Sequence, residues 1–396
     1  MSGTLFIAGG ATTHHFGRIL EALIHAAGGV QNKFALVVTA SGDGPDELHR
    51  EYQKDFEKAG VSPENVVLVP LYDPSVVDER GFNALHGDHE CLPEVLKDVK
   101  GVWFTGGDQY YTAKCFIHED GTPTRALELL HEIYRSGGAI GGSSAGAAIM
   151  SRVMIGAGTN RSVLGRETLF SYDTYPALLE EDPDISPLII SQGLGFFPHG
   201  VVDQHFDKRP RLLRLIETCM LNKDNERIGY AVSEDTCLVY HADGRITVIG
   251  AGAVYVVDCR KAERSAPGCY RGVMLHAIQE GDSYHIENEL LTLAGDDSER
   301  GEIGIVPDYY AGGVIDHPGF DRFIDINLLR SKKQYMPVDE ASGRVYARGV
   351  DVTDIDGTDW AVVFRYLRGD DTRGYRRCIA SFVNVGLETK AVTIQL

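Results

Sequence analysis

A Gly-x-Ser-x-Gly motif is the sharpest chemical signal in this sequence, and it spans residues 142–146 with Ser144 at its centre. It follows the short apolar run Ala139–Gly141 and leads into a segment of small residues. A serine at such a strand-to-helix turn is lifted clear of the sheet, and a helix start behind it favours negative charge at the attacked carbonyl. We therefore predict that Ser144 is a nucleophile.

An acyl-transfer nucleophile also needs N–H donors for the oxyanion that forms on the attacked carbonyl. The residue after the nucleophile, Ala145, supplies one backbone N–H. The segment Phe104–Gln109 follows another apolar run and contains a Gly-Gly turn. We predict that Gly107 in this turn provides the second donor, and that Asp108 and Gln109 then point at the substrate.

The serine further requires a base, most often a histidine held by a carboxylate. Among the 14 histidines, His205 is the leading candidate because it ends a buried-looking run and precedes a cluster of cations. The cluster consists of Arg209, Arg211 and Arg214. Such cations can hold a substrate carboxylate through bidentate hydrogen bonds. His14 and His15, after the first Gly-Gly turn, are further residues that could line a site.

Metal binding has little support in the sequence. His86 and His89 are ligand types, but the Gly87 between them favours a loop over a metal-binding helix. An aspartate-rich segment at 351–357 fails the spacing of an EF-hand loop. We expect neither a metal nor an organic cofactor.

The apolar runs define the elements that must position these residues. Strands are predicted at Leu5–Ala8, Phe34–Thr39, Val66–Pro70, Gly101–Phe104 and Ala139–Gly141, and helices at Phe16–Ala27 and Glu47–Ala59. Continuous apolar strands that end in glycine and alternate with helices predict an α/β fold, with a mostly parallel sheet and helices on both faces. Ligands bind beyond the carboxyl ends of such strands, so the functional residues should lie in strand-to-helix turns.

The second half of the chain reads differently. A strand and loop are predicted at Ile185–Phe206, a helix at Arg211–Leu221, and strands at Tyr230–His241, Ile246–Tyr255, Gly272–Ile278 and Tyr284–Leu291. An acidic stretch, Ala294–Gly301, then precedes short strands only. Because 396 residues exceed one ordinary domain, we predict two domains, residues 1–293 and a small mostly-β domain at 294–396.

Composition limits the class of protein. The chain is 43% hydrophobic and 24% charged, which is typical of globular proteins and excludes disorder, collagen and coiled coil. Its net charge of −19 disfavours nucleic acid as a partner. Seven widely spaced cysteines without a C-x-x-C pair indicate neither a disulfide framework nor a zinc ribbon. With no signal peptide and no membrane-length apolar run, a cytoplasmic protein with reduced thiols is expected.

Taken together, these motifs resemble the cyanophycinase branch of the S51 serine peptidases, which also contains aspartyl dipeptidases. The resemblance covers about residues 1–292. The motifs that carry it are Gly9-Gly10, Phe104–Gln109, Gly142–Ala147, Asp203–Phe206 with the three arginines, Ser233–Thr236 and Gly281–Tyr284. The resemblance implies a homodimer whose fold is related to class I glutamine amidotransferases, with serine in place of their cysteine.

The resemblance also implies an activity, the release of β-Asp-Arg dipeptides from cyanophycin, a polyaspartate that carries arginine on each β-carboxyl. Ser144 would attack, His205 would be the base and Glu234 would orient His205, with Glu167 or Asp173 as alternatives to Glu234. The residues expected to hold the dipeptide unit are Gln109, Asp203, Gln204, Arg209, Arg211 and Arg214.

Two other functions remain open on the sequence alone. One is a dipeptidase acting on small free aspartyl or isoaspartyl peptides, and the other is a polymer-binding relative without activity. The segment Thr159–Pro187, with its acidic run, is longer than expected for compact members of the family. It is interpreted as a surface insertion, with a lid or a contribution to arginine recognition as alternatives.

Overall fold

The computed structural model describes residues 3–41, 45–71, 87–164, 168–170, 186–222, 227–292 and 294. It also describes the backbone of strands at 338–339, 344–355, 358–367, 374–376 and 380–392. Several residues named in the sequence analysis lie outside these ranges. They are His86, Glu167 and Asp173 (the alternatives to Glu234), most of the predicted insertion, and the acidic stretch after residue 294.

Helices and strands alternate through the first part of the chain, and strands dominate the rest. The α-helices are α1 (Phe16–Ala26), α2 (Pro45–Lys58), α3 (Leu92–Val95), α4 (Gln109–Phe116), α5 (Arg125–Arg135), α6 (Ala145–Ala148) and α7 (Leu212–Leu221). Short 3-10 helices lie at Thr39–Ser41, Pro63–Asn65 and Arg161–Val163.

The strands of the first half are β1 (Thr4–Ala8), β2 (Lys33–Val37), β3 (Val66–Leu68), β4 (Val99–Phe104), β5 (Ala139–Ser143), β6 (Val153–Ala157), β7 (Ile189–Gln192) and β8 (Val201–Asp203). They continue with β9 (Ile228–Val232), β10 (Thr236–Tyr240), β11 (Arg245–Gly250), β12 (Val254–Asp258), β13 (Glu263–Ala266), β14 (Cys269–Ile278), β15 (Ser283–His285) and β16 (Leu290–Thr292). The remaining strands are β17 (Val338–Asp339), β18 (Arg344–Ile355), β19 (Thr358–Leu367), β20 (Gly374–Arg376) and β21 (Ala380–Val392).

The first sheet has the strand order β16-β15-β11-β10-β1-β5-β4-β2-β3. Strands β1 to β5 pair in parallel, and β10, β11, β15 and β16 extend the sheet in antiparallel fashion. The apolar side chains of α1 pack on one face, where Leu23 belongs to the same core cluster as Phe6. Those of α5 pack on the other face, where Leu130 belongs to the same cluster as Ile7. The predicted α/β class and parallel arrangement are therefore confirmed.

A second sheet has the order β17-β18-β19-β21-β14-β12-β9-β8-β6-β7, with β13 beside β14 and β20 beside β21. Helix α7 packs on this sheet, and its Leu215 belongs to the same core cluster as Tyr255 and Leu275. Glu217 on α7 is fully buried and accepts two hydrogen bonds from Arg264, at 2.8 and 2.6 Å. This ion pair fixes α7, and with it the arginines at its start, against the β13–β14 hairpin.

Three segments that were each predicted as one strand contain two strands in the structure, so these predictions are wrong. The run Tyr230–His241 is two strands, β9 in the second sheet and β10 in the first, separated by the turn Ser233–Asp235. The run Ile246–Tyr255 divides in the same way into β11 and β12, and Tyr284–Leu291 is the β15–β16 hairpin. At the first crossing, β9 and β10 are both buried along their whole length, so burial does not distinguish one strand from the other.

The C-terminal strands continue the second sheet. Strand β21 pairs with β14 in antiparallel register, with Leu275 opposite Val385, and β19 and β18 follow it outward. Through β21, the described strands after residue 294 are therefore hydrogen-bonded to a strand that precedes it. A separate domain at 294–396 stays a prediction.

Candidate active site

Ser144 lies at the carboxyl end of β5, beside the end of β1, with φ 56° and ψ −110°. A non-glycine residue persists in such a conformation only where its surroundings enforce it. Neighbouring glycines make this possible: a Cβ on Gly142 would lie 2.4 Å from the carbonyl oxygen of Gly146, and a Cβ on Gly146 would lie 2.4 Å from that of Phe104. The motif therefore forms the tight turn that presents the serine hydroxyl.

A chain of hydrogen bonds joins Ser144 to His205 and Glu234. Ser144 Oγ is 2.8 Å from His205 Nε2, and His205 Nδ1 is 2.6 Å from Glu234 Oε1. His205 follows β8 of the second sheet, whereas Ser144 follows β5 of the first. Glu234 lies in the turn where the chain crosses from β9 to β10, so the three side chains meet between the two sheets.

Three consecutive carbonyl groups at the end of β1 anchor the turns that carry these side chains. The bonds are Ser144 N–H to Ala8 O at 3.0 Å, His205 N–H to Gly9 O at 2.7 Å, and Asp235 N–H to Gly10 O at 2.9 Å. Each donor residue has a positive φ, between 48° and 56°. A single short segment, Ala8–Gly10, thus holds all three strained turns in one arrangement.

Burial lowers the pKa of His205 below its ordinary value. The hydrogen bond that His205 donates to Glu234 acts in the opposite direction, and the positive charges of Arg209 and Arg211 lower the pKa further. The net result is a ring that is neutral at neutral pH and able to accept the proton of Ser144.

The predicted oxyanion loop lies beside Ser144. A Cβ on Gly106 would be 3.5 Å from Ser144 Cβ, so this turn contacts the serine directly. Gly107 has φ +135°, and a Cβ there would lie 2.0 Å from the carbonyl oxygen of Ala40. Within the described part of the chain, the backbone N–H groups of Gly107 and Ala145 donate to no backbone acceptor. Helix α6 is only one turn long, so its contribution here is this N–H rather than a macrodipole.

Asp108 and Gln109 follow this loop, and both side chains bond to the protein itself. Asp108 Oδ1 accepts a hydrogen bond from the N–H of Tyr110 at 2.9 Å and caps α4. The Gln109 amide donates to the carbonyl oxygens of Ile155 and Gly156, at 3.1 and 2.8 Å. These bonds tie the start of α4 to strand β6 of the second sheet.

Asp203 and Arg214 form a buried ion pair behind His205. Arg214 donates from Nε and Nη2 to the two carboxylate oxygens of Asp203, at 2.9 and 2.5 Å, and the two side chains are 5% and 1% exposed. Nη1 of the same arginine donates to the carbonyl oxygen of Gly158 at 2.5 Å. These two charges therefore stabilise each other and fix the end of β8.

Gln204, Arg209 and Arg211 have different environments. Arg211 is buried and donates to the carbonyl oxygen of Gln204 at 2.7 Å. Gln204 Oε1 is buried without a hydrogen-bond donor among the described residues. Arg209 is exposed, and its charge acts on His205. The predicted cluster of three arginines thus comprises two buried side chains and one that faces solvent.

No group of three or more His, Cys, Asp or Glu side chains suited to a metal ion occurs in the described ranges. His89 Nδ1 instead accepts a hydrogen bond from the N–H of Cys91, at 3.2 Å. The six cysteines in those ranges are free thiols. None of the helices described is long and apolar enough to cross a membrane.

The α/β fold and the Ser–His–Glu arrangement are those of a serine-type peptidase. Residues 5–249 match Peptidase family S51, and the chain belongs to that family. It is 30% identical over 293 residues to the cyanophycinase of Synechococcus elongatus, covering 72% of this chain and 79% of that one. It is 29% identical to the cyanophycinase of Geminocystis herdmanii, covering 72% and 93%. A solved structure described as a peptidase from an acI-B1 Actinobacterium aligns with a TM-score of 0.48 and 17% identity, over 72% and 97% of the chains.

One residue of this region was not predicted from the sequence. Asp235 lies directly after Glu234 and contacts the segment that carries His14 and His15. Its position next to a predicted triad member is the signal that would have pointed to it.

Proposed function

We propose that this peptidase hydrolyses cyanophycin and releases β-Asp-Arg dipeptides through an acyl-enzyme on Ser144. The observation that carries the proposal is the hydrogen-bonded chain Ser144–His205–Glu234, with its 2.8 and 2.6 Å contacts. The similarity to relatives named cyanophycinase supports the choice of substrate.

Acylation begins when Ser144 Oγ attacks a backbone carbonyl carbon of the polyaspartate chain. His205 Nε2 takes the hydroxyl proton, and Glu234 holds Nδ1–H and stabilises the resulting imidazolium. The oxyanion accepts hydrogen bonds from the N–H groups of Gly107 and Ala145. Collapse of the tetrahedral intermediate breaks the C–N bond, and His205 gives its proton to the leaving amine.

Deacylation repeats these steps with water. His205, neutral again, removes a proton from a water molecule that attacks the ester carbonyl. The intermediate collapses, the proton returns to Ser144 Oγ, and the product leaves with a carboxylate. No metal or organic cofactor takes part in this sequence of steps.

Substrate binding is assigned to the residues around the triad. Arg209 is the exposed cation beside His205, and we propose that it binds a substrate carboxylate. Gln204 Oε1 offers an unused acceptor for a substrate N–H. The proposed substrate-binding set is completed by five residues whose contacts with the protein shape the substrate site: Asp108, Gln109, Asp203, Arg211 and Arg214. In the same proposal the enzyme acts in the cytoplasm and is a homodimer, the latter as the resemblance implies.

The test is incubation of the full chain with insoluble cyanophycin, with mass spectrometry of the soluble products. Ser144→Ala removes the nucleophile, and Ser143→Ala makes the same change one residue earlier as a matched control. We expect β-Asp-Arg from the wild type and from Ser143→Ala, and none from Ser144→Ala.

Other outcomes change the proposal. Cleavage of short isoaspartyl peptides without release from the polymer identifies a dipeptidase. Binding of the polymer without cleavage of either substrate identifies a non-catalytic relative. Product release by Ser144→Ala overturns the assignment of the nucleophile.

A further inference from the structure

Asp235 makes three contacts with a segment about 220 residues earlier in the chain. Its Oδ1 accepts hydrogen bonds from the backbone N–H groups of His14 and His15, at 3.1 and 3.0 Å. Its Oδ2 lies 2.6 Å from His15 Nδ1. The side chains of Asp235 and His15 are 15% and 25% exposed, so this contact is largely shielded from solvent.

The same residue also holds the other end of that segment. Its backbone N–H donates to the carbonyl oxygen of Gly10 at 2.9 Å. Asp235 therefore fixes the loop from Gly10 to His15 at both ends, and this loop contains Ala11 at φ 45°. A loop in such a conformation keeps its shape only where several contacts determine it.

Gly10 in this loop lies against the face of the His205 ring. A Cβ at Gly10 would come within 2.3 Å of His205 Cε1 and 2.5 Å of Nε2, so the ring rests on the backbone of this residue. The two ring nitrogens are hydrogen-bonded to Ser144 and Glu234, and Gly10 limits movement out of that plane.

We propose that Asp235 is a positioning residue: by holding the loop Gly10–His15, it keeps the His205 ring aligned between Ser144 and Glu234. Asp235 does not touch the reacting atoms, and its effect passes through Gly10. The inference rests on the proposed function for its kinetic readout, because it concerns the same triad.

The variants Asp235→Ala and Asp235→Asn separate this role from a general loss of folding. Alanine removes every contact of the carboxylate. Asparagine keeps an oxygen acceptor for the N–H groups of His14 and His15, and its amide can donate to His15 Nδ1. Asp243→Ala is a matched control, because Asp243 also accepts a backbone N–H in a turn, that of Arg245, at the far end of β10.

We expect Asp235→Ala to lower kcat about 10- to 100-fold, with KM changed by less than about threefold, since misplacing a catalytic group by about 1 Å costs up to about 100-fold. Asp235→Asn should recover kcat to within about fivefold of the wild type. Asp243→Ala should leave kcat and KM as they are. Thermal unfolding of each variant shows whether the protein assayed is folded.

A folded Asp235→Ala variant with wild-type kcat overturns the inference, as does an Asp235→Asn variant as impaired as alanine. A wild type that cleaves neither cyanophycin nor isoaspartyl peptides overturns the proposed function instead. In that case ¹⁵N resonances of the His205 imidazole, which report its tautomer and its bond to Glu234 without any substrate, decide the inference. Identical resonances in the wild type and Asp235→Ala overturn it, and altered ones support it.

Discussion

The ring of His205 occupies the space that any side chain at Gly10 would need, because a Cβ there would lie 2.3 Å from His205 Cε1. The φ of Gly10 is +104°, a conformation that other residues rarely adopt. Two constraints therefore require a glycine at position 10: its own positive φ and the His205 ring that lies against it.

Gly10→Ala is expected to lower kcat by at least about 100-fold, because the new methyl group must displace the ring from Ser144 and Glu234. Gly17→Ala is the matched control, since a Cβ at Gly17 meets nothing within 4 Å. Steady-state kinetics of both variants provide the measurement. Full activity in Gly10→Ala contradicts the contact between this residue and the base.

The rate should fall on the acid side as His205 becomes protonated, because only the neutral ring can accept the proton of Ser144. Burial lowers the pKa of His205, so the midpoint of the acid limb of kcat/KM should lie below 6.5. Replacing Arg209 with glutamine removes a positive charge that lowers this pKa, and the limb should then move to higher pH.

The pH profile of kcat/KM at low ionic strength provides the measurement, since salt weakens the effect of an exposed charge. Arg135→Gln, at the end of α5 and the opposite end of the first sheet, makes the same change of charge and should leave the limb in place. A limb that stays fixed in Arg209→Gln, or moves to lower pH, argues against the influence of that cation on His205.

Gly107→Ala should lower kcat about 100- to 1,000-fold, the loss typical of a missing oxyanion donor. A Cβ at this position would lie 2.0 Å from the carbonyl oxygen of Ala40, so the peptide must turn and its N–H must move. Gly106→Ala places its Cβ 3.5 Å from Ser144 Cβ, an ordinary contact, and its effect should be much smaller. Equal losses in the two variants would show that crowding, rather than the donor, controls the rate.

Asp203→Asn should reduce the free energy of unfolding by about 3–5 kcal/mol, because it leaves Arg214 buried without its charged partner. The double variant Asp203→Leu with Arg214→Met replaces the pair by apolar groups and should recover most of that loss. Urea denaturation measures both. A cost below about 1 kcal/mol for Asp203→Asn would mean that Arg214 finds another partner or reaches water.

Structural features that are set by residues close together in the sequence could be predicted from it. Ser144 lies in a motif whose glycines, turn and flanking strand are all within a few positions of it, and the structure has the strand, the turn and a short helix in that order. The parallel half of the first sheet could also be predicted, because strands buried on both faces appear in the sequence as continuous apolar runs that end in glycine.

Contacts between segments that are far apart in the sequence could not be predicted from local patterns. Residues Tyr230–His241 were predicted as one strand because β9 and β10, on either side of the turn that carries Glu234, are both buried although they belong to different sheets. Nothing near Asp203 marks Arg214 as its partner eleven residues later. The anchoring of the Ser144 and His205 turns by β1 joins residues more than 130 positions apart.

The division of the proposed triad between two sheets has a consequence for when the enzyme becomes active. Ser144 is synthesised before His205 and Glu234, and it gains its base only when β8 and the β9–β10 crossing are in place beside β1. An incomplete or partly folded chain therefore carries a serine of ordinary reactivity. In the proposed mechanism, peptidase activity should therefore begin only once the two sheets have assembled around β1.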